Sequence, residues 1–246
     1  MIAGVDGCQA GWLVALAAST PAAGVLASVR LCLCAEFVSV VELTAGCACV
    51  AVDIPIGLPS GAQPRPCDLA ARQRLGGAAA ARVFFAPPRG TLTAQSPQQF
   101  QSLHRQLTGK AASLPVWGIV PKLREVDATM TPQLQQRIIE VHPELVWQRL
   151  ANAALPSKHQ PAGLAQRHAL LAARLPELAR LIKWRKRLGR AAAEDDLLDA
   201  LVCLVAAHEL QPLLHQPSDR IDQTARRLPV GPVTLDERGL RMEIWC

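Results

Sequence analysis

The sequence predicts an α/β fold: a mixed five-stranded sheet, an antiparallel meander followed by parallel strands, flanked by helices and carrying a helical insertion. Three observations carry that expectation. Three apolar runs near the start are separated by short Gly- or Pro-containing turns, the pattern of a meander. The stretch CACVAVDI (47–54) is continuously rather than alternately apolar, as a strand buried on both faces is. Far along the chain, EDDLLDALVCLVAAH (194–208) reads as a helix that is hydrophobic all round, and such helices are buried.

The elements follow in order. The first run, residues 1–5, ends at Asp6; the turn GCQAG leads to the second (12–18), and TPAAG (20–24) to the third (25–34). Residues 36–43 suit a helix. The strand 47–54 is stopped by PIGLP. Residues 60–135 are Pro-, Gly-, Arg- and Gln-rich with helical pieces at 68–75 and 97–107, an insertion expected to pack on one sheet edge within a single domain of 246 residues. Residues 138–142 (IIEVH) give the next strand, 144–188 a helix-rich stretch, and TLDERGLRMEIW (234–245) a terminal hairpin.

Composition narrows the function classes. Half the residues are hydrophobic and 19% are charged, enough for a sizeable core. The net charge of +6 permits a polyanionic partner such as nucleic acid. Aromatics are scarce and Tyr is absent, which argues against a stacking platform for single strands. No uncharged run approaches the ~18 residues of a membrane span, and no signal peptide is evident, so a cytoplasmic protein without a membrane role is expected. The pairs Cys32/Cys34 and Cys47/Cys49 are too closely spaced for a usual zinc site and read as small buried hydrophobes with reduced thiols. Oligomeric state is open, a homodimer included.

Asp199 poses the chemical question. It sits in the apolar part of the late helix, on one face with Val202, Cys203 and Ala206, and with Asp195 and Asp196 one turn earlier. Glu194, Asp195 and Asp196 offset the helix dipole. Asp199 lies beyond that turn. A buried carboxylate must be paired, hydrogen-bonded, cation-bound or protonated. An arginine could pair with it; a shared cation is the other solution. Asp6 and Asp53 fall at strand ends and Glu144 just past one, so parallel neighbours at the sheet centre would bring the first two side by side. Taken singly, Asp6 could be a turn residue, Asp53 a cap and Glu144 a first-turn helix acid. Taken together with Asp196 and Asp199, they fall where one fold would converge them, and oxygen-only ligands suit Mg²⁺ or Mn²⁺. Glu140 is a weaker ligand candidate that depends on strand register. His142 and His208 have ordinary structural explanations, although His142 adjoins Glu144.

The order of elements and the placing of these acids resemble the ribonuclease H-like fold of two-metal nucleases. The helix DLLDALVCLVAAH (196–208) is similar to the D-x-x-D-A-L helix of Holliday-junction resolvases. More closely, the chain resembles the domain of unknown function 429 family, described as predicted ribonuclease H-like nucleases. The stretches that carry the likeness are GVDGCQAGW, DIPIGLP, CDLAARQRLG, FFAPPR, PKLREVDA, EVHPE, SKHQPAG and DDLLDAL. Lys122 and Lys158 lie within them and could neutralise a phosphoryl oxygen or pair with an acid.

The resemblance and the acids together imply a metal-dependent nuclease. Asp6 would bridge two ions roughly 4 Å apart, with Asp53, Glu144, Asp196 and Asp199 completing the shells. The segment KWRKRLGR supplies Lys183, Arg185, Lys186, Arg187 and Arg190 as a phosphate-contacting patch or a solvated helix end. A non-catalytic nucleic-acid-binding or regulatory module is the alternative. An actin-like or sugar-kinase-like ATPase is a weaker one, because GVDGCQAG and DIPIGLP lack the hydroxyls of phosphate loops.

Overall fold

The computed structural model describes residues 1–19 and 25–246. The expected TPAAG turn lies outside the described residues. In chain order the helices are α1 (Phe37–Leu43), α2 (Pro66–Leu75), α3 (Pro97–Thr108), α4 (Leu114–Thr129), α5 (Pro143–Ala151), α6 (Pro161–Ala172), α7 (Leu178–Lys186), α8 (Glu194–Leu210) and α9 (Ser218–Thr224). The chain forms two compact units: residues 1–54, 136–217 and 245–246 make the first, and 55–135 with 218–244 the second.

The first unit holds the sheet, whose strand order is β3-β2-β1-β4-β5. The strands are β1 (Ile2–Cys8), β2 (Gly11–Ala17), β3 (Arg30–Cys34), β4 (Cys49–Val52) and β5 (Ile138–Glu140). β1, β2 and β3 pair antiparallel, while β4 joins β1 and β5 in parallel. This is the mixed five-stranded α/β sheet that the sequence predicts. β4 is buried along its whole length, as its unbroken apolar pattern requires. At the β1–β2 hairpin, Gly11 has φ +123, and a Cβ there would lie 2.3 Å from the Cys34 carbonyl oxygen. Only glycine meets both conditions.

Three expected strands are shorter, and β4 covers Cys49–Val52 of the expected 47–54. The third apolar run forms a strand only from Arg30, because Ser28 takes φ 58. The amide of Leu26 donates instead to the Arg174 carbonyl (2.8 Å), and that of Val29 to the Glu177 carboxylate. Those groups therefore need no strand partner. β5 ends at Glu140, and Val141 makes a parallel bridge to Trp245.

α8 is buried at every position from Leu197 to Ala207. It packs on β1 at Gly4, where a Cβ would stand 2.1 Å from the Leu204 nitrogen and 2.2 Å from the Ala200 carbonyl oxygen. The missing side chain lets the helix backbone lie directly on the strand. That close approach fixes where Asp199, the neighbour of Ala200, sits.

The second unit contains α2 and α3, near the expected bounds, and two helices that were not expected, α4 and α9. α4 carries Gly118 and Pro121 in its interior, which disguise it as loop. Its Val116 and Val120 join Ala94 and Phe100 in a small core. The tail turns back as expected: Leu235 bridges Arg241 antiparallel, and Gly239 has φ 75 in the tight turn. Among the described residues no helix is long and apolar enough to cross a membrane.

Candidate carboxylate site

Asp6 faces Leu13 across the β1–β2 ladder, and the Asp53 amide, just past β4, donates to the Val5 carbonyl at 3.0 Å. The two carboxylates thus leave the sheet side by side, at the carboxyl ends of adjacent parallel strands. Asp6 is 9% exposed, and its Oδ1 accepts from the Gly7 amide at 2.8 Å. α8 brings Asp199 into the same neighbourhood. Burial pushes the Asp6 carboxyl well above the usual carboxylate range, and the charges of Asp53, Asp199 and Asp196 push it the same way against Lys158. Asp53 is likewise raised, by burial first and then by Asp199, with Glu140 and Glu144 adding to it. Cys203 lies one turn beyond Asp199. Burial raises its thiol well above the ordinary value, and Asp53, Asp6 and Asp199 raise it further.

Asp199 itself is 5% exposed and fully engaged. Lys158 Nζ donates to Oδ2 at 2.7 Å, and Trp147 Nε1 to Oδ1 at 3.3 Å. Lys158 also reaches Asp195 at 3.2 Å. Burial works against the Lys158 charge, but Asp199 and Asp195 outweigh it and hold the ammonium above its ordinary pKa. Among the described residues the partners of Asp199 are therefore a lysine and an indole, and not an arginine.

The lysine is placed by a second layer that the sequence reading missed. Arg167 is fully buried and donates to the carbonyls of Pro156 and Gly163, each at 3.0 Å. It also meets both oxygens of Glu144, at 2.8 and 3.0 Å, and lies 5.7 Å over the Trp147 ring. Gly163 tightens the same loop, since a Cβ there would stand 2.2 Å from the Ser157 carbonyl oxygen. A buried arginine has no local sequence signature; only the run SKHQPAG, ending four residues earlier, marks the neighbourhood.

The expected site residues therefore divide. Asp6, Asp53 and Asp199 share one electrostatic field, with Lys158 inside it. Asp196 contributes to that field, although its Oδ2 accepts from the Ala193 amide at 2.7 Å and so caps α8. Burial, more than any neighbour, raises its carboxyl above the ordinary value. Glu144 is paired with Arg167, yet its charge still reaches Asp53. Glu140 is buried and sits opposite Val52 in the β4–β5 ladder. His142 caps α5, its Nδ1 accepting from the Glu144 amide at 3.3 Å. His208 is half-buried near the end of α8. Lys122 lies on α4 in the second unit. In the basic segment, Lys183, Lys186, Arg187 and Arg190 are exposed. Arg185 is half-buried and donates to the Ala192 carbonyl at 2.8 Å. Among the described residues, no three His, Cys, Asp or Glu side chains are arranged to hold a metal ion.

A family model described as a protein of unknown function, DUF429, matches residues 4–215. The chain belongs to the DUF429 family. The matched region runs from β1 through α8 and includes every member of the carboxylate cluster. No curated protein and no solved structure matches this DUF429 chain.

Proposed function

We propose that this DUF429 protein is a Mg²⁺- or Mn²⁺-dependent nuclease with a ribonuclease H-like sheet, hydrolysing phosphodiester bonds. The reading rests on one observation: Asp6 and Asp53 stand at the carboxyl ends of two adjacent parallel strands, and the charge of Asp199 on α8 raises the cost of ionising both. Sheets of this kind gather ligands there. Buried like charges of this density call for a cation, and an all-oxygen donor set suits a hard divalent ion. No three of these carboxylates stand in a metal-holding arrangement, so a bound ion would take Asp6 and Asp53 and would need Asp199 to turn from Lys158, while Asp196 and Glu144 add to the field. When bound, the ion lowers the pKa of an attacking water and offsets charge on the phosphoryl oxygens.

The chain's own residues supply the rest. Lys158 orients Asp199 through Oδ2, and Trp147 satisfies its other oxygen. Arg167 keeps the Lys158 loop and Glu144 in place. Lys183, Lys186, Arg187 and Arg190 are free to contact phosphates, whereas Arg185 shapes the turn before α8. All eight cysteines are free thiols, which fits a cytoplasmic, reducing environment.

Lys158 also supports a second reading. Its ammonium already balances part of the cluster, so the same fold could serve as a non-catalytic nucleic-acid-binding module. Labelled duplex, single-stranded, hybrid and junction substrates, assayed with Mg²⁺ and with Mn²⁺, separate the two. The nuclease reading expects cleavage that Asp6→Asn and Asp199→Asn each abolish while binding persists. Binding without cleavage of any substrate selects the module. Cleavage that survives Asp6→Asn removes the site from the reaction.

A further inference from the structure

The second unit contains a cavity of about 360 Å³ that the carboxylate chemistry does not use, and all its lining residues belong to that unit. Pockets of this size accept small organic ligands. Phe84, Phe85 and His104 give it flat ring surfaces, while Arg72 and Lys110 give it two cations. Among the described residues no carboxylate lines it. The Arg72 guanidinium lies 4.9 Å over the Phe85 ring and donates to the Val83 carbonyl at 2.6 Å. Neither Arg72 nor Lys110 pairs with an acid among the described residues. Phe85 keeps 40% of its surface exposed, although a ring of that size gains from burial.

His104 adds a directional group. Its Nδ1 stands 2.8 Å from the Lys110 carbonyl oxygen, which can only accept, so Nδ1 carries the proton. In that tautomer Nε2 is an acceptor, and it makes no hydrogen bond among the described residues. The cavity therefore offers aromatic walls, unpaired positive charge and one ring acceptor. Arg72 falls in the stretch CDLAARQRLG and both phenylalanines in FFAPPR, two parts of the family resemblance that the carboxylate site leaves unexplained.

We propose that this cavity binds a nucleoside monophosphate whose base carries an exocyclic amino group. The base packs against Phe84 and Phe85, Lys110 and Arg72 take the phosphate, and His104 Nε2 accepts from the amino group. Aromatic stacking and charge-assisted contacts supply the affinity, and the histidine supplies the choice of base. The site stands independently of the nuclease reading.

Calorimetric titration of the full chain in EDTA tests it, with AMP, adenosine, inorganic phosphate and purine riboside 5′-monophosphate, which lacks the amino group. AMP should bind one to one, adenosine and phosphate at least tenfold more weakly, and the purine analogue several-fold more weakly. Lys110→Glu and Phe85→Ala, both at exposed side chains, should each weaken AMP at least tenfold with the unliganded melting curve unchanged. No heat at millimolar AMP overturns the proposal, as does AMP affinity unaltered in both variants. Adenosine or phosphate binding as tightly as AMP removes the anion or the ring from it. Equal binding of the purine analogue removes His104.

Discussion

Asp6 and Asp199 meet the same problem of buried charge in opposite ways. Asp199 has an ammonium and an indole on its two oxygens, whereas Asp6 accepts from the Gly7 amide and faces three acids that outweigh the Lys158 charge. The native Asp6 carboxyl therefore binds a proton more tightly than the unfolded one, whose pKa is near 3.8. The native state holds more protons throughout the window between those two values. Stability then falls as pH rises through it, and the cost of the charge is complete above the native pKa. In EDTA, melting temperature should rise as pH is lowered from 8 towards 5. Asp6→Asn should melt at a higher temperature than the wild type at pH 8, since the amide carries no charge to bury. Millimolar Mn²⁺ should stabilise the wild type and flatten its pH profile, while leaving Asp6→Asn nearly unmoved. An equal Mn²⁺ response in both proteins would count against the site. Lys158 gives the converse result. Lys158→Met strands Asp199 and should cost about 2–4 kcal/mol, with much of the loss recovered in the Lys158→Met/Asp199→Asn double variant. Additive single losses in that cycle would show that the two groups are not coupled.

At the scale of elements, the packing of α8 on β1 is the contact that assembles the site. Gly4→Ala places a methyl group inside the van der Waals radii of the Leu204 and Ala200 backbone, which no rotamer change can relieve. The helix must move off the strand. A loss of about 3 kcal/mol is expected, with a weaker Mn²⁺ shift because Asp199 moves with the helix. Gly118→Ala, inside α4 with nothing within 4 Å of a Cβ, should instead stabilise by about 0.5–1 kcal/mol. Urea melts of the two variants should move in opposite directions. The elements legible in the sequence are those whose burial is written in their own residues: β1, β2, β4 and α8. α4 was hidden by Gly118 and Pro121, because its helical state depends on a core formed with Ala94 and with Phe100 of α3. β3 looked too long because apolarity at 25–29 says nothing of Ser28 φ or of amides satisfied by a distant helix. The acids were legible from their positions at strand ends. Their partners were not: Trp147 and Arg167 are joined to the site by tertiary contact alone.

For the whole molecule, the formal charge of +6 is a weak signal until its placement is known. Many arginines are spent internally. Arg65 pairs with buried Asp68, Arg89 with Asp127 and Asp236, and Arg167 with Glu144. Such residues cannot release counterions from a phosphate backbone. The cations at the end of α7 and in the turn that follows remain exposed, so they should carry the electrostatic part of nucleic-acid binding. Each phosphate neutralised on duplex DNA steepens the dependence of log K on log salt by about 0.9. Replacing Lys183, Lys186 and Arg187 together by Gln should therefore reduce that slope by between one and three such steps. Affinity at low salt should fall by at least tenfold, and the Mn²⁺-induced melting shift should stay unchanged. Arg185→Gln is the internal control. Its guanidinium is bonded to the Ala192 carbonyl, so it should lower the melting temperature and leave the slope as it was. Fluorescence anisotropy of a labelled duplex between 50 and 300 mM KCl reads both variants. A triple variant with the wild-type slope would move the nucleic-acid contact away from α7.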